Sequence, residues 1–145
     1  MEYKELSNLY IDLSEEILKD INFDSSSKDN QNQLLFISCI ENSLDCDAKH
    51  IYEIFKNDLE SIEELNFKSK WKRLMGIRTI ENIVFSEFDE DGLISLLQDS
   101  KMRVISVPDQ NIISSNKSND LKKFSLILNK YKTFNELLRK ILDEC

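Results

Sequence analysis

The chain contains very few of the residues that make tight turns. It has two glycines and one proline among 145 residues, whereas average usage gives about 17 residues of these two types. Glycine and proline shape hairpin turns and sheet corners, so their scarcity argues against a large antiparallel sheet or barrel. It also excludes the glycine-rich loops that cradle phosphates in P-loop and dinucleotide-binding proteins.

Residues suited to metal binding and covalent chemistry are equally scarce. The chain has three cysteines (Cys39, Cys46 and Cys145) and one histidine, His50. An odd number of cysteines without a paired framework fits a reducing compartment. Residues 1–6 lack the basic start and apolar core of a signal peptide, and no run approaches 18 apolar residues. We therefore expect a cytoplasmic protein without a membrane segment.

The charges are sorted along the chain rather than scattered. There are 27 acidic residues against 19 lysines and arginines, a net charge of −8. Residues 1–65 carry a net −11, residues 66–80 a net +5, residues 81–100 a net −6 and residues 101–145 a net +4. A strongly acidic field repels nucleic acids and anionic membranes and favours cationic proteins. We therefore expect neither nucleic acid nor membrane as a direct partner.

The remaining composition predicts one folded domain over residues 1–145. Hydrophobic residues make up 41% and charged residues 32% of the chain, which is typical of globular rather than disordered proteins. A domain of this length buries about 70% of its unfolded surface, so it needs no disulfide or metal for stability.

Apolar residues at spacings of three and four predict a mainly α fold, a bundle of about six to seven amphipathic helices. The predicted helices span residues 3–22, 31–43, 47–64, 67–85, 89–99, 120–131 and a last segment beginning near 133. Asp45 or Asp47 is expected to cap the third helix, and Thr133 with Glu136 forms a capping box for the last. In the first helix we expect one row of residues to be buried: Leu6, Leu9, Tyr10, Leu13, Ile17 and Ile21.

Two segments could form a β-strand instead of a helix. Residues 80–86 are rich in β-branched and aromatic types, which suit either a helix or a strand. Residues 102–107 are the best strand candidate, and Pro108 would end that strand. With a turn at 109–110 and a return strand over 111–114, they would form a small β-hairpin near 102–114. An α+β fold is therefore the alternative to the helical bundle.

Candidate metal and catalytic groups are weak. Cys46 and His50 lie four residues apart, the spacing of two zinc ligands on one helix face, but a structural zinc site needs four ligands. The acidic run beginning at Asp89 fails the calcium-loop pattern, because Leu93 and Ile94 stand where an oxygen ligand and a glycine are required. No cysteine or serine lies in a recognised nucleophile signature. We expect no cofactor and no enzymatic activity; a small enzyme using Cys46 and His50 is a minor alternative.

The basic segment 66–80 interleaves cations with an aromatic residue, Trp71, a pattern sometimes used to contact RNA. In an acidic chain we favour another interpretation, in which Trp71 belongs to the core. The lysines of this segment then form a solvated face or pair with the acidic helices of residues 1–65.

These observations favour an acidic protein-binding module that neutralises or inhibits a basic partner, since opposite fields speed association and suppress wrong partners. Immunity proteins against nuclease toxins and phage-type inhibitors are small acidic proteins of this functional class, so a basic toxin or nuclease domain is the expected kind of partner. The predicted partner-binding carboxylates are those of Asp12, Glu15, Glu16, Asp20, Glu53, Asp58, Glu60, Glu63 and Glu64.

The alternative function is that of a scaffold or regulatory subunit. Its basis is the segment 89–114, whose predicted helix, strand and hairpin resemble the end of a winged-helix unit. The predicted helix would bind DNA phosphates poorly, because it carries four acids: Asp89, Glu90, Asp91 and Asp99. The alternative therefore uses this unit to contact protein.

Overall fold

The structure, a computed structural model, describes residues 2–106 and 117–143. Within these ranges six α-helices follow one another: α1 (Tyr3–Asp20), α2 (Ser27–Phe55), α3 (Phe67–Leu74), α4 (Glu81–Glu87), α5 (Leu93–Ile105) and α6 (Lys117–Asp143). A short 3-10 helix, Lys56–Asp58, follows α2. No strand occurs within the described ranges, so the prediction of a mainly α bundle is confirmed. Over the same ranges, no helix is long and apolar enough to cross a membrane.

A buried aspartate organises the turn between α1 and α2. The Asp29 carboxylate accepts hydrogen bonds from the backbone N–H groups of Asn22 (2.6 Å) and Phe23 (3.1 Å). The Ser26 hydroxyl in turn accepts from the Asp29 N–H (3.1 Å) and caps α2. Free N–H groups at a helix start need such acceptors. The turn folds α1 back antiparallel onto α2, with Ser7 Oγ lying 2.8 Å from Ser43 Oγ.

Helix α2 runs unbroken for 29 residues, so the predicted break near residues 44–46 is wrong. Asp45 and Asp47 do not cap a helix, because both side chains find partners elsewhere in the fold. Asp45 pairs with Lys49 at 3.0 Å and with the buried Lys70 at 2.5 Å. Asp47 accepts a hydrogen bond from Tyr131. An aspartate engaged in this way does not compete for the local backbone, so the helix continues.

The buried face of α1 differs in part from the prediction, although Ile21 is buried and Ile17 packs against the core as predicted. Ser7, Ile11 and Ser14 are its buried residues, whereas Leu9 and Leu13 remain 48% and 43% exposed. Small serines let α1 approach α2 closely, and the Ser7 hydroxyl is hydrogen-bonded inside the interface. The leucines consequently lie beside the interface instead of within it.

The segment predicted as one helix over 67–85 forms two. Helix α3 ends at Leu74, and α4 starts at Glu81 after turns that bury Ile77 and Ile80. Residues 81–86 are therefore helical, which settles the choice between helix and strand for them. Trp71 is fully buried, and its indole N–H donates to the Leu44 carbonyl at 3.0 Å.

Helix α5 extends through Ile105, so the strand predicted from residue 102 is wrong over 102–105. Leu93, Ile94 and Leu97 are buried and Val104 packs against the core, an apolar spacing that continues the helical period. The rest of the predicted hairpin, residues 107–114, lies outside the described residues. The winged-helix interpretation of 89–114 thus loses its first strand.

Helix α6 replaces the two helices predicted over 120–131 and from 133 onward. Tyr131, Phe134 and Leu138 are buried at three- and four-residue spacing, so the apolar stripe passes straight through Thr133 and no cap forms there. The core is one cluster to which all six helices contribute. Within it, Phe124 stacks on Phe36 with ring centroids 5.0 Å apart.

Candidate functional site

The predicted carboxylates of α1 divide between two sides of the helix. Asp12, Glu16 and Asp20 are exposed, at the spacing of three to four residues that aligns side chains along one face. Glu5, seven residues before Asp12, lies on the same face of the helix and is also exposed; it was not among the predicted partner-binding carboxylates. We call Glu5, Asp12, Glu16 and Asp20 the acidic row.

Glu15 does not belong to the acidic row. Its carboxylate forms an ion pair with Lys132 of α6 at 2.5 Å, and its side chain is partly covered. Glu15 therefore ties α1 to α6 and is the one predicted carboxylate that is half-buried instead of exposed.

The other predicted carboxylates form a second group, the 53–64 cluster: Glu53, Asp58, Glu60, Glu63 and Glu64, all exposed. The segment carrying it is anchored by Ile62, which is buried. Arg73 of α3 also contacts this segment: its guanidinium donates to the Ser61 carbonyl at 2.6 Å and pairs with Glu60 at 3.7 Å.

Glu16 and Asp20 of the acidic row lie near the start of α2, whereas the 53–64 cluster begins with Glu53 near its end. Ser7 contacts Ser43 and Lys4 contacts Asp47, so α1 and α2 run antiparallel. Glu16 therefore lies opposite the early part of α2. About 20 residues of α2 separate that level from Phe55, or about 30 Å at 1.5 Å per residue. The predicted carboxylates thus form two surfaces instead of one.

Beside the acidic row, α1 exposes apolar side chains. Leu9 and Leu13 are exposed, and Leu6, Tyr10 and Ile17 are half-buried. These five residues, the apolar row, occupy one arc of the helix at three- and four-residue spacing. Leu13 is three residues from Glu16, so the acidic and apolar rows adjoin each other.

The cations of the basic segment are largely engaged within the fold. Lys70 is buried against Asp45, Lys68 donates to Gln98 at 2.8 Å, and Lys72 lies 5.8 Å from the centre of the Phe88 ring. Arg73 pairs with the 53–64 cluster. The interpretation of this segment as intramolecular, with Trp71 in the core, agrees with these contacts.

A buried polar network joins α1, α2 and α6. The Tyr131 hydroxyl donates to Asp47 and lies 2.7 Å from Ser43 Oγ and 2.9 Å from Ser7 Oγ. Burial, and then the nearby Asp47 charge, raises the pKa of Tyr131 far above its usual value, so the hydroxyl remains a proton donor. Every buried side-chain polar atom of the described residues has a partner, which is typical of a structural network.

The Cys46–His50 pair has none of the features of a nucleophile and its base. Cys46 is buried, and that burial raises the pKa of its thiol, which disfavours the thiolate that a nucleophile requires. His50 lines a cavity of about 260 Å³ together with Lys4, Arg139 and apolar residues. Within the described ranges, no three His, Cys, Asp or Glu side chains are grouped to hold a metal.

Comparisons of the chain with protein-family models, with curated proteins and with solved structures find no match.

Proposed function

We propose that this protein is an acidic binding module that holds a basic partner protein and thereby neutralises or inhibits it. The observation that carries the proposal is the state of the predicted carboxylates. Eight of the nine are exposed, and five have no cation within ion-pair distance among the described residues: Asp12, Asp20, Asp58, Glu63 and Glu64. These five carboxylates stand ready to pair with a partner's lysines and arginines.

The distribution of charge supports the sign of the partner. Lys70, Arg73 and Lys101 each pair with a carboxylate of the same chain, so part of the positive charge is neutralised within the fold. The surplus negative charge of −8 is left for the surface. Such a field accelerates the approach of a basic protein and disfavours nucleic acids and anionic membranes.

The proposal is for a binding protein and not an enzyme, acting in a reducing compartment such as the cytoplasm. Cys39 and Cys46 are both free and buried, an arrangement suited to a compartment where disulfides do not form. A basic nuclease or toxin domain remains the kind of partner that this acidity fits best.

Affinity capture from the native cells tests the proposal. The tagged protein is compared with two charge-reversed variants, Glu16→Lys/Asp20→Lys and Glu63→Lys/Glu64→Lys, each checked for an unchanged circular dichroism spectrum. We expect a stoichiometric basic protein that wild type retains in low salt and releases in high salt, because exposed charges are screened within about 8 Å at physiological ionic strength. At least one variant should lose it, through a slower association rate.

A partner whose capture is indifferent both to salt and to the two reversals would contradict electrostatic capture. An acidic or neutral stoichiometric partner would do the same. The two variants also serve as controls for each other, since Glu16 and Asp20 lie on α1 whereas Glu63 and Glu64 lie between α2 and α3.

A further inference from the structure

Helices α1 and α2 pack antiparallel, and both carry exposed leucines beside the line where they meet. Lys49 lies 5.5 Å from the centre of the Tyr3 ring, which places one side of α2 against the apolar side of α1. Residues seven apart lie on the same helix face, so continuing this antiparallel pairing by seven residues twice brings Leu35 beside Ile17. Leu35 is 52% exposed. We call the surface along this line the groove; Leu9 and Leu13 of α1 and Leu35 of α2 border it.

The apolar row is partly exposed: Leu9 and Leu13 face solvent, whereas Leu6, Tyr10 and Ile17 are half-buried and Ile17 packs against the core. The row from Leu6 to Ile17 is about 17 Å long, or three turns of helix. Scattered exposed leucines need no explanation, but a contiguous apolar strip with a polar rim is typical of a protein-binding site. Its length and straight course suit an α-helix laid into the groove.

The charges at the rim select the occupant. The acidic row runs along the α1 side of the groove, with Asp12 and Asp20 lacking a cation among the described residues. A second copy of this chain would bring a like row of carboxylates against the first, which is unfavourable. A helix with lysines or arginines beside its apolar face meets no such repulsion.

We infer that the partner docks through a basic amphipathic helix, its apolar face on Leu9, Leu13 and Leu35 and its cations on the acidic row. This inference rests on the proposed function and names both the surface and the kind of segment that the surface recognises. The 53–64 cluster then serves long-range attraction and not the contact itself.

Three synthetic 18-residue peptides test the inference on the full chain. The first has leucines at three- and four-residue spacing with flanking lysines. The second has the same composition with the leucines spread around the helix, and the third replaces the lysines by glutamines. Affinities are measured by fluorescence anisotropy, and the contact site is mapped by amide chemical shifts.

The decisive variant is Leu9→Gln/Leu13→Gln. Its matched control is Leu126→Gln/Leu137→Gln on α6, where both leucines are 44% exposed. We expect the first peptide to bind best, with shifts over residues 6–17 and at Leu35. The α1 variant should bind it at least about tenfold more weakly, because two leucine side chains no longer bury apolar surface against the peptide. The α6 control should bind it within about twofold of wild type.

Each other outcome overturns the inference in a recognisable way. Binding that ignores Leu9→Gln/Leu13→Gln but weakens in Glu16→Gln/Asp20→Asn would leave the proposed function standing and remove the apolar contact. Equal binding of the glutamine peptide would show that charge does not select the partner and would count against the proposed function as well. A dimer in sedimentation that Leu9→Gln/Leu13→Gln dissociates would make the occupant a second copy.

Discussion

At the scale of single residues, buried polar side chains decide how the helices pair. Tyr131 lies on α6 but bonds to Asp47 and Ser43 on α2 and to Ser7 on α1. These bonds fix how three helices are rotated and how far each is shifted along its axis. The free-energy cost of moving a buried polar atom away from its partner is larger than that of moving an apolar contact by the same distance.

Tyr131→Phe should lower the free energy of unfolding by about 1–3 kcal/mol, because Asp47 and two serines lose a buried partner. Urea unfolding followed by circular dichroism measures the change. Tyr52→Phe is the control, because Tyr52 is half-buried, packs against the core and lies outside the network. This substitution should lower the free energy of unfolding by no more than about 0.5 kcal/mol. Equal effects of the two substitutions would show that the network contributes no special stability.

Glu87→Gln should change how stability depends on pH. Burial raises the pKa of the Glu87 carboxyl above its usual value, while the Leu93 N–H that it accepts at 2.9 Å partly opposes this. A carboxyl whose pKa is higher in the folded state makes the free energy of unfolding fall as pH rises from the unfolded pKa, about 4.3, through the folded one. Glutamine keeps the acceptor without the charge.

The stability difference between Glu87→Gln and wild type should therefore shift in favour of the variant as pH rises from about 4 to about 7. Urea unfolding at several pH values gives this difference directly. Glu81→Gln, an exposed position on the same helix, should show no such trend. If the stability difference between Glu87→Gln and wild type did not change with pH, the Glu87 carboxyl would be solvated in the folded protein.

At the scale of elements, the α1–α2 hairpin is the unit that carries the candidate surface. Its turn is closed by side-chain acceptors in place of glycine: Phe23 and Ser25 adopt positive φ angles of 53° and 64°. Such conformations are costly for residues with a Cβ and need support from their surroundings. Asp29 supplies that support for Phe23, whose N–H it accepts at 3.1 Å.

Asp29→Ala should lower the free energy of unfolding by about 2 kcal/mol or more, since the N–H groups of Asn22 and Phe23 lose a charged acceptor. Asp29→Asn keeps one acceptor oxygen and should recover part of the loss. Thermal and urea unfolding measure both variants, with the exposed Asp20→Ala as the control. If Asp29→Ala were no worse than Asp20→Ala, the turn would not depend on this carboxylate.

At the scale of the whole molecule, the fold distributes its negative charge over two surfaces. The acidic row lies along α1, and the 53–64 cluster begins at Glu53, about 30 Å along α2 from the level of Glu16. Exposed charges are screened within about 8 Å at physiological ionic strength, so we expect Glu16 and Asp20 to act independently of the 53–64 cluster.

Combining Glu16→Lys/Asp20→Lys with Glu63→Lys/Glu64→Lys should therefore change stability by the sum of the separate changes, within about 0.5 kcal/mol. Urea unfolding of wild type, the two double variants and the quadruple variant gives the coupling energy. Repeating the cycle at low salt provides the control, because any true coupling should grow there. A coupling above about 1 kcal/mol at physiological salt would place the two surfaces closer together than the fold does.

The elements differ in how well periodicity predicted them. The extent of α1 and its identity as a helix agree with the apolar spacing, but its buried face agrees only in part. Leu9 and Leu13 outweigh Ser7 and Ser14 in hydrophobicity, so spacing alone selects the wrong side. The serines are buried because Ser43 and Tyr131 lie opposite them, and those partners are 36 and 124 residues away from Ser7.

Helix ends posed the same difficulty. Asp45, Asp47 and Thr133 have the side chains of helix caps, yet all three lie inside helices. A polar side chain caps a helix when it bonds to local N–H groups, and it is tolerated inside one when its partners are distant or when it faces water. For Asp47 the distant partners are Lys4 and Tyr131.

The scarcity of glycine and proline, the apolar spacing and the sorted charge were sufficient to determine a mainly helical fold with exposed carboxylates, because these properties depend only on which residues are present and in what order. Only the tertiary structure decided that Glu15 binds Lys132 while Glu16 faces outward, that the acids form two separate surfaces, and that the α1 leucines border a groove. Each of these depends on which distant side chains occupy the space beside a helix, and spacing within one helix carries no information about them.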